Sequence, residues 1–266
     1  MLLPHQTYSK INTLYKRYLD GKNKGKIILG EYSDKVTEYL ANVKWLWYEK
    51  IDGTNFAVYW DGHTKEYHGK SEKACIKKEW CDKLNTIFTE EALSRVFTPR
   101  KDDSGNEIPM LVKIYGELHG KGIQGGMGKA YADFAHEDYL FRIFDINIDG
   151  WWLEMDKVED IARALNVEVV PFVGEMTIKE AENLVINGFK SAVGDCAAEG
   201  LVGRVKYGLT ARNGGRVMVK IKTCDYRDLG IKDVETEEPK KGETSSLLDM
   251  LKDLSVKWKN PFKFHA

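Results

Sequence analysis

The sequence predicts an α+β fold, and three observations carry that expectation. Short apolar segments alternate with a period of two and are bounded by Asp-Gly turns, which reads as antiparallel strands. Apolar residues at helical spacing occur among these segments, without the regular strand–helix alternation of a doubly wound sheet. The chain has 266 residues and 42% hydrophobic content, enough for one large domain with a small appendage.

The elements follow in order. Val43, Trp45 and Trp47 alternate, Asp52-Gly53 makes a turn, and Phe56, Val58 and Trp60 alternate again, so residues 43–60 read as strand, tight turn and strand. Asp61-Gly62 marks a further hairpin into Tyr67. Residues 79–97 read as a helix with Trp80, Leu84, Ile87 and Phe88 on one face. Residues 110–118 and 139–148 are apolar enough for buried strands, and 154–165 form a helix through Met155, Val158, Ile161, Ala162 and Leu165. Thr177 and Glu180 have capping-box spacing and open another helix. Residues 200–206 and 216–222 read as strands. The main domain is expected over 1–230. Beyond it, 231–266 comprises a charged linker with Pro239 and Gly242, then a short helix whose stripe is Leu247, Leu251, Leu254 and Trp258.

Composition excludes some classes. No apolar run is long enough to span a bilayer. The start Met1-Leu2-Leu3-Pro4-His5 lacks the basic-then-apolar layout of a signal peptide, so a cytoplasmic location is expected, that of the host if the chain is viral. Cysteines at 75, 81, 196 and 224 have no C-x-x-C spacing and read as scattered reduced thiols. With a formal net charge of −1, nucleic acid cannot be gripped by global charge and needs a local patch. Residues 204–227 offer one, with Arg204, Lys206, Arg212, Arg216, Lys220, Lys222 and Arg227 against Asp225 alone; a solvated face is the plainer reading.

Several residues suit chemistry. A lysine amine is a poor nucleophile while protonated, and burial or neighbouring cations must lower its pKa before it attacks. Lys50 sits at a strand end before a glycine turn, with Asp52 and Asn55 at the same mouth; an ordinary surface hairpin would look the same. Glu117 lies in the apolar strand Tyr115-Gly116-Glu117-Leu118 and needs a partner, either a ribose hydroxyl or a core salt bridge. Phe144 offers a ring for base stacking, or plain core packing. Glu199 beside Gly200 is placed to hold a divalent cation through water. Lys220 and Lys222, two apart in a strand, project to one face, where a triphosphate would separate them and where they would help depress Lys50; a basic edge strand is the alternative.

Taken in order, KIDGTN at 50–55, YGEL at 115–118, FDI at 144–146, EGLVGR at 199–204 and VKIK at 219–222 resemble the motifs of the covalent nucleotidyltransferase superfamily of ligases and capping enzymes. Within it, residues 40–230 most resemble the nick-sealing RNA ligases, typified by the second RNA ligase of T-even phages. DNA ligases and capping enzymes usually carry arginine where this chain has Asn55, and Phe56 also fits the RNA ligase branch.

The resemblance implies an ATP-grasp-like nucleotidyltransferase domain of antiparallel sheets flanked by helices, with a short C-terminal helical extension. It implies ATP and magnesium (or manganese) as cofactors. It implies RNA with 3′-hydroxyl and 5′-phosphate ends as partner, held as a nicked duplex; no membrane partner is expected from the composition, and a monomer is the default. Lys50 becomes lysyl-AMP, the AMP passes to the RNA 5′-phosphate, and the 3′-hydroxyl seals the strand. Glu49 and Ile51 then belong to the nucleotide site, Glu49 at the adenine. Asn55 serves the substrate phosphates, Glu117 the ribose, Phe144 the base and Glu199 the metal. Lys220 touches the phosphates and assists pyrophosphate departure, and Lys222 acts likewise in the first step.

There are departures. Lys70, in Gly69-Lys70-Ser71-Glu72, stands where many relatives have arginine, and lacks its bidentate fork. Only about forty residues follow the last motif, where many ligases add a sizeable C-terminal domain, so sealing is expected to need a partner or a particular nick geometry. The glycine-rich stretch 116–128 lacks the P-loop pattern and is expected to be a mobile loop near the substrate. The alternatives are a small DNA ligase, a capping guanylyltransferase using GTP, and a non-catalytic nucleic-acid-binding module.

Overall fold

The structure, a computed structural model, describes residues 8–71, 73–123, 138–194, 196–212 and 214–231. Two mixed sheets dominate. The first contains β1 (Asn12–Thr13), β4 (Trp45–Glu49), β11 (Phe172–Met176), β12 (Gly200–Val205) and β13 (Met218–Lys222), in the order β1-β13-β12-β4-β11. All its pairs are antiparallel except β1 with β13. The second contains β5 (Thr54–Trp60), β6 (Lys65–Gly69), β7 (Val112–Gly120), β8 (Tyr139–Ile148) and β10 (Glu168–Val169), in the order β10-β8-β7-β5-β6, with β9 (Trp151–Trp152) beside β8. Only β10 runs parallel to its neighbour. A two-stranded ribbon pairs β2 (Tyr15–Arg17) with β3 (Ile27–Tyr32). Among the described residues the α-helices are α1 (Lys35–Tyr39), α2 (Lys78–Ile87), α3 (Glu90–Val96), α4 (Met155–Ala164), α5 (Ile178–Asn187) and α6 (Thr223–Arg227). This is the α+β arrangement that the sequence predicts. Among the described residues, no helix is long and apolar enough to cross a membrane.

Period-two alternation explains how the sheets divide the core. On the first sheet, Trp45, Trp47, Leu201, Val219 and Ile221 point to one face, where Ile178, Ala181 and Val185 of α5 cover them. Fully burying side chains of this size contributes roughly 1.5–3 kcal/mol each. The Trp47 ring lies against Gly203, its cross-strand partner, where a Cβ would stand 2.5 Å from the ring. On the second sheet, Phe56, Val58 and Trp60 join Ile114, Leu118 and Ile143, packed by Leu84 of α2, Leu93 of α3 and Val158 of α4. The capping box at the start of α5 is present, with Thr177 accepting from the Glu180 amide and Glu180 accepting from the Thr177 amide.

Three sequence expectations need correction. Residues 43–60 are not a hairpin, because β4 pairs with β11 and β12 while β5 pairs with β6 and β7. The tryptophans of β4 and the apolar face of β5 are drawn into different cores, so Lys50–Gly53 is the crossover between two sheets. The helix expected over 79–97 is two, broken at Phe88, where Thr89 caps α3 by accepting from the Ala92 amide. Gly116–Gly120 belongs to β7, not to a loop. The rest of the glycine-rich loop, at 124–128, and the linker and helix expected beyond residue 231 lie outside the described residues.

Candidate active site

The crossover carrying Lys50 opens onto a cleft of about 340 Å³ between the two sheets. The first sheet supplies the side chains that alternate with its buried face: Tyr48, Val202, Arg204, Met218, Lys220 and Lys222. The second supplies Asn55, Glu117 and Phe144, and Asn55 and Glu117 are direct partners across β5 and β7. Ile51 and Lys70 also line the cleft. Nine positions singled out in the sequence, from Glu49 to Lys222, therefore meet in one place. Glu199 stands just behind, bound to two of the amines.

Along β13 the wall passes from Met218, paired with Arg204, to Lys222, paired with Gly200. At the Lys222 end, Lys50 Nζ donates to Glu199 Oε2 at 2.5 Å and Lys222 Nζ lies 2.7 Å from Glu199 Oε1. One carboxylate thus holds two amines. The Lys50 amide donates to the Gly200 carbonyl, which fixes the crossover to the strand that follows Glu199. Burial works against the Lys222 charge, but the hydrogen bond and charge of Glu199 raise its pKa.

Lys220 has no such relief. Burial, then the charges of Lys50, Lys222, Lys70 and Lys10, lower its amine to about 8. The sequence pointed to a cation-crowded lysine, and the crowding falls most visibly on Lys220. Among the described residues, Lys10, Lys70 and Lys220 have no carboxylate within ion-pair distance. Five lysines line this cleft, and their summed charge would favour an anion there.

The Glu117 carboxyl is pushed up to about 7, first by burial and then by Glu199 and Asp52, against Lys50 and a hydrogen bond from Gly53. Among the described residues Glu117 forms no salt bridge, the alternative that its place in an apolar strand left open. The carboxyl faces the cleft, where it can take a hydroxyl. Asp52 is also raised, by burial and by Glu199, while Lys50 and Lys222 oppose. Glu49 is different. Its carboxylate is turned away, accepting from Ser191 Oγ at 2.5 Å and from the Ala192 amide at 2.8 Å. The side-chain contact with a base that the resemblance implies for Glu49 is not the role its carboxylate has in this arrangement.

Two features escaped sequence reading. The first is a buried ionic hub. Asp145 accepts from Tyr8 Oη at 2.5 Å, Arg216 Nη1 at 2.6 Å and Arg204 Nη1 at 3.3 Å, and Arg204 Nη2 donates to the Phe144 carbonyl at 3.0 Å. Arg216 also stacks 3.6 Å over the Trp152 ring. The basic run 204–227 is therefore not one surface patch. Arg204 and Arg216 turn inward, Lys220 and Lys222 face the cleft, and Lys206, Arg212 and Arg227 remain exposed. The second is the segment Tyr8–Ile11, which lines the cleft although no motif falls on it.

Among the described residues, no group of three or more His, Cys, Asp or Glu could cage a metal ion. Glu199, the carboxylate the sequence assigned to a metal, has both oxygens engaged by Lys50 and Lys222, so a hard cation there would have to share them and complete its shell with water and phosphate oxygens.

A protein-family model described as RNA ligase matches residues 43–222. No curated protein sequence matches the chain significantly. Among solved structures, a variant of the Naegleria gruberi RNA ligase with AMP and Mn is similar at TM-score 0.51 and 18% identity, over 72% of this chain and 53% of that one. A variant with ATP and Mn matches at TM-score 0.51 and 18% identity, over 83% and 62%. The Naegleria gruberi RNA ligase with PPi matches at TM-score 0.51 and 18% identity, over 84% and 63%. The likeness is one of fold, and the chain spans 53% to 63% of the length of these structures.

Proposed function

Because the chain belongs to the RNA ligase family, we propose that it is an ATP-dependent ligase whose first step is attack of the Lys50 amine on the α-phosphate of ATP. The observation that carries this reading is the meeting of Lys50, Lys220 and Lys222 in one cleft with Glu117 and Phe144. The ligands of the solved relatives fit it. Those structures hold AMP and Mn, ATP and Mn, and PPi, which on this reading are the transferred group, the substrate, the leaving group and a divalent ion.

In the first step a bond forms between Lys50 Nζ and the α-phosphorus, and the bond to the bridging oxygen breaks. The electron pair leaves with pyrophosphate, and the amine gives up a proton. Lys220 and Lys222, on the strand facing Lys50, offset the charge that gathers on the departing phosphates. Phe144 stacks on the base, and Glu117 meets the ribose. Asn55, opposite Glu117, faces the substrate phosphates. A divalent ion, when bound, neutralises phosphate charge, and the single carboxylate of Glu199 suits one delivered with the nucleotide. The adenylyl group then passes to an RNA 5′-phosphate, and the 3′-hydroxyl displaces AMP to join the strand.

Incubation with magnesium and ATP radiolabelled at the α-phosphate is expected to leave a covalent label on the protein, which chelation by EDTA prevents and Lys50→Ala abolishes. A label that survives that substitution disproves the assignment of the nucleophile. Nicks carrying RNA or DNA on the 3′-hydroxyl side test the substrate: RNA is expected to seal faster, since a 2′-hydroxyl distinguishes the two, and equal rates refute RNA specificity.

A further inference from the structure

The segment Tyr8–Ile11 is a strap between the two sheets. At one end the Tyr8 ring is buried 5.0 Å from Tyr115, 5.1 Å from Phe144 and 5.8 Å from Trp152, centroid to centroid. Its hydroxyl donates to Asp145 and accepts from Arg216 Nη2 at 2.8 Å. At the other end, Asn12 and Thr13 pair with Val219 and Lys220, and the Leu14 amide donates to the Lys220 carbonyl at 3.0 Å. Ser9, Lys10 and Ile11 are held between these anchors, and all three line the cleft.

A lysine on an ordinary surface turns its amine toward bulk water and away from like charge. Lys10 is exposed, yet it also lines the cleft that holds Lys50, Lys70, Lys220 and Lys222, near enough for its charge to act on Lys220. Among the described residues it has no carboxylate partner. An anion entering the cleft would turn this clustering of like charge into attraction.

We infer that Lys10 is a phosphate-binding residue, carried on the Tyr8–Ile11 strap, that closes the cationic wall opposite the Lys50 crossover. The ligand is a phosphoryl oxygen, from the triphosphate of ATP or from the RNA end. The inference rests on reading the cleft as a polyphosphate site.

The test uses the full chain with Lys10→Ala and Lys10→Arg. Inorganic tripolyphosphate is titrated calorimetrically, with no chemistry required. Joining of pre-adenylylated RNA without ATP is measured in parallel as a KM. Lys10→Ala is expected to weaken at least one by about five- to tenfold, while Lys10→Arg stays close to the parent. A loss confined to tripolyphosphate assigns the contact to the nucleotide, and one confined to pre-adenylylated RNA assigns it to the RNA end. If Lys10→Ala matches the parent in both, or Lys10→Arg is as impaired as Lys10→Ala, the inference is overturned. Failure of the function itself is seen separately, as a parent protein that takes no label from ATP.

Discussion

Replacing Asp145 by asparagine tests what holds the walls of the cleft together. Asp145 is fully buried, and its carboxylate faces Arg204 and Arg216, each with only 13% of its side chain exposed. Asparagine keeps the shape but removes the charge and turns N–H donors toward cationic donors. Breaking a buried ion pair from one side leaves the other charge uncompensated and costs about 3–5 kcal/mol. In a domain of this size each kcal/mol corresponds to roughly 2–4 °C, so the melting temperature should fall by on the order of 10 °C. Tryptophan fluorescence reads the transition in urea and on heating. The companion variant carries Asp145→Leu, Arg204→Met and Arg216→Met together. It should recover much of the loss, because an apolar replacement leaves no orphaned charge. A single variant within 1 kcal/mol of the parent would refute the view that the hub joins the sheets.

Three further outcomes follow from the same geometry. The Glu117 carboxyl ionises near 4.5 in the unfolded chain and at about 7 in the fold, so stability should fall as pH rises through that window and stay low above it; Glu117→Gln should be more stable than the parent at pH 8 by about 1–2 kcal/mol after screening, and equal urea midpoints at pH 8 would contradict this. The Lys220 amine is lowered from 10.5 to about 8, so its charge opposes folding below pH 8 and this cost fades between pH 8 and 10.5; parent stability should rise across that window, and Lys220→Met should lack the rise. Gly203→Ala places a methyl against the buried Trp47 ring and should cost about 1–3 kcal/mol by overpacking, while a melting temperature equal to the parent's would show that the two strands separate at no cost.

Much of this molecule is legible in one dimension. Period-two alternation marked β4 and β5, because a strand exposes its burial directly in alternate residues, while apolar runs marked β7 and β8, and β12 and β13 were also read as strands. The capping box marked α5 because both partners lie three residues apart. The elements that went unread are short or irregular: the Asn12–Tyr32 strands, α1, β9 to β11 and α6 carry too few turns or pleats for a period to appear. The break at Phe88 was missed because the apolar residues of α2 and α3 enter the same core.

The sequence by itself marked nine of the residues that meet at the cleft, because short motifs in order carry recognisable chemistry: an amine before a glycine turn, a carboxylate in an apolar strand, two lysines two apart. Tertiary structure alone decided how they are partnered. Pairing β4 and β5 in different sheets made Lys50 a crossover residue, and joining residues 149 positions apart set Glu199 between Lys50 and Lys222. It also turned Arg204 and Arg216 inward onto Asp145 and stretched Tyr8–Ile11 across the cleft. Ion pairing depends on distance through space, and a run of basic letters looks the same whether its charges face water, a buried aspartate or a phosphate.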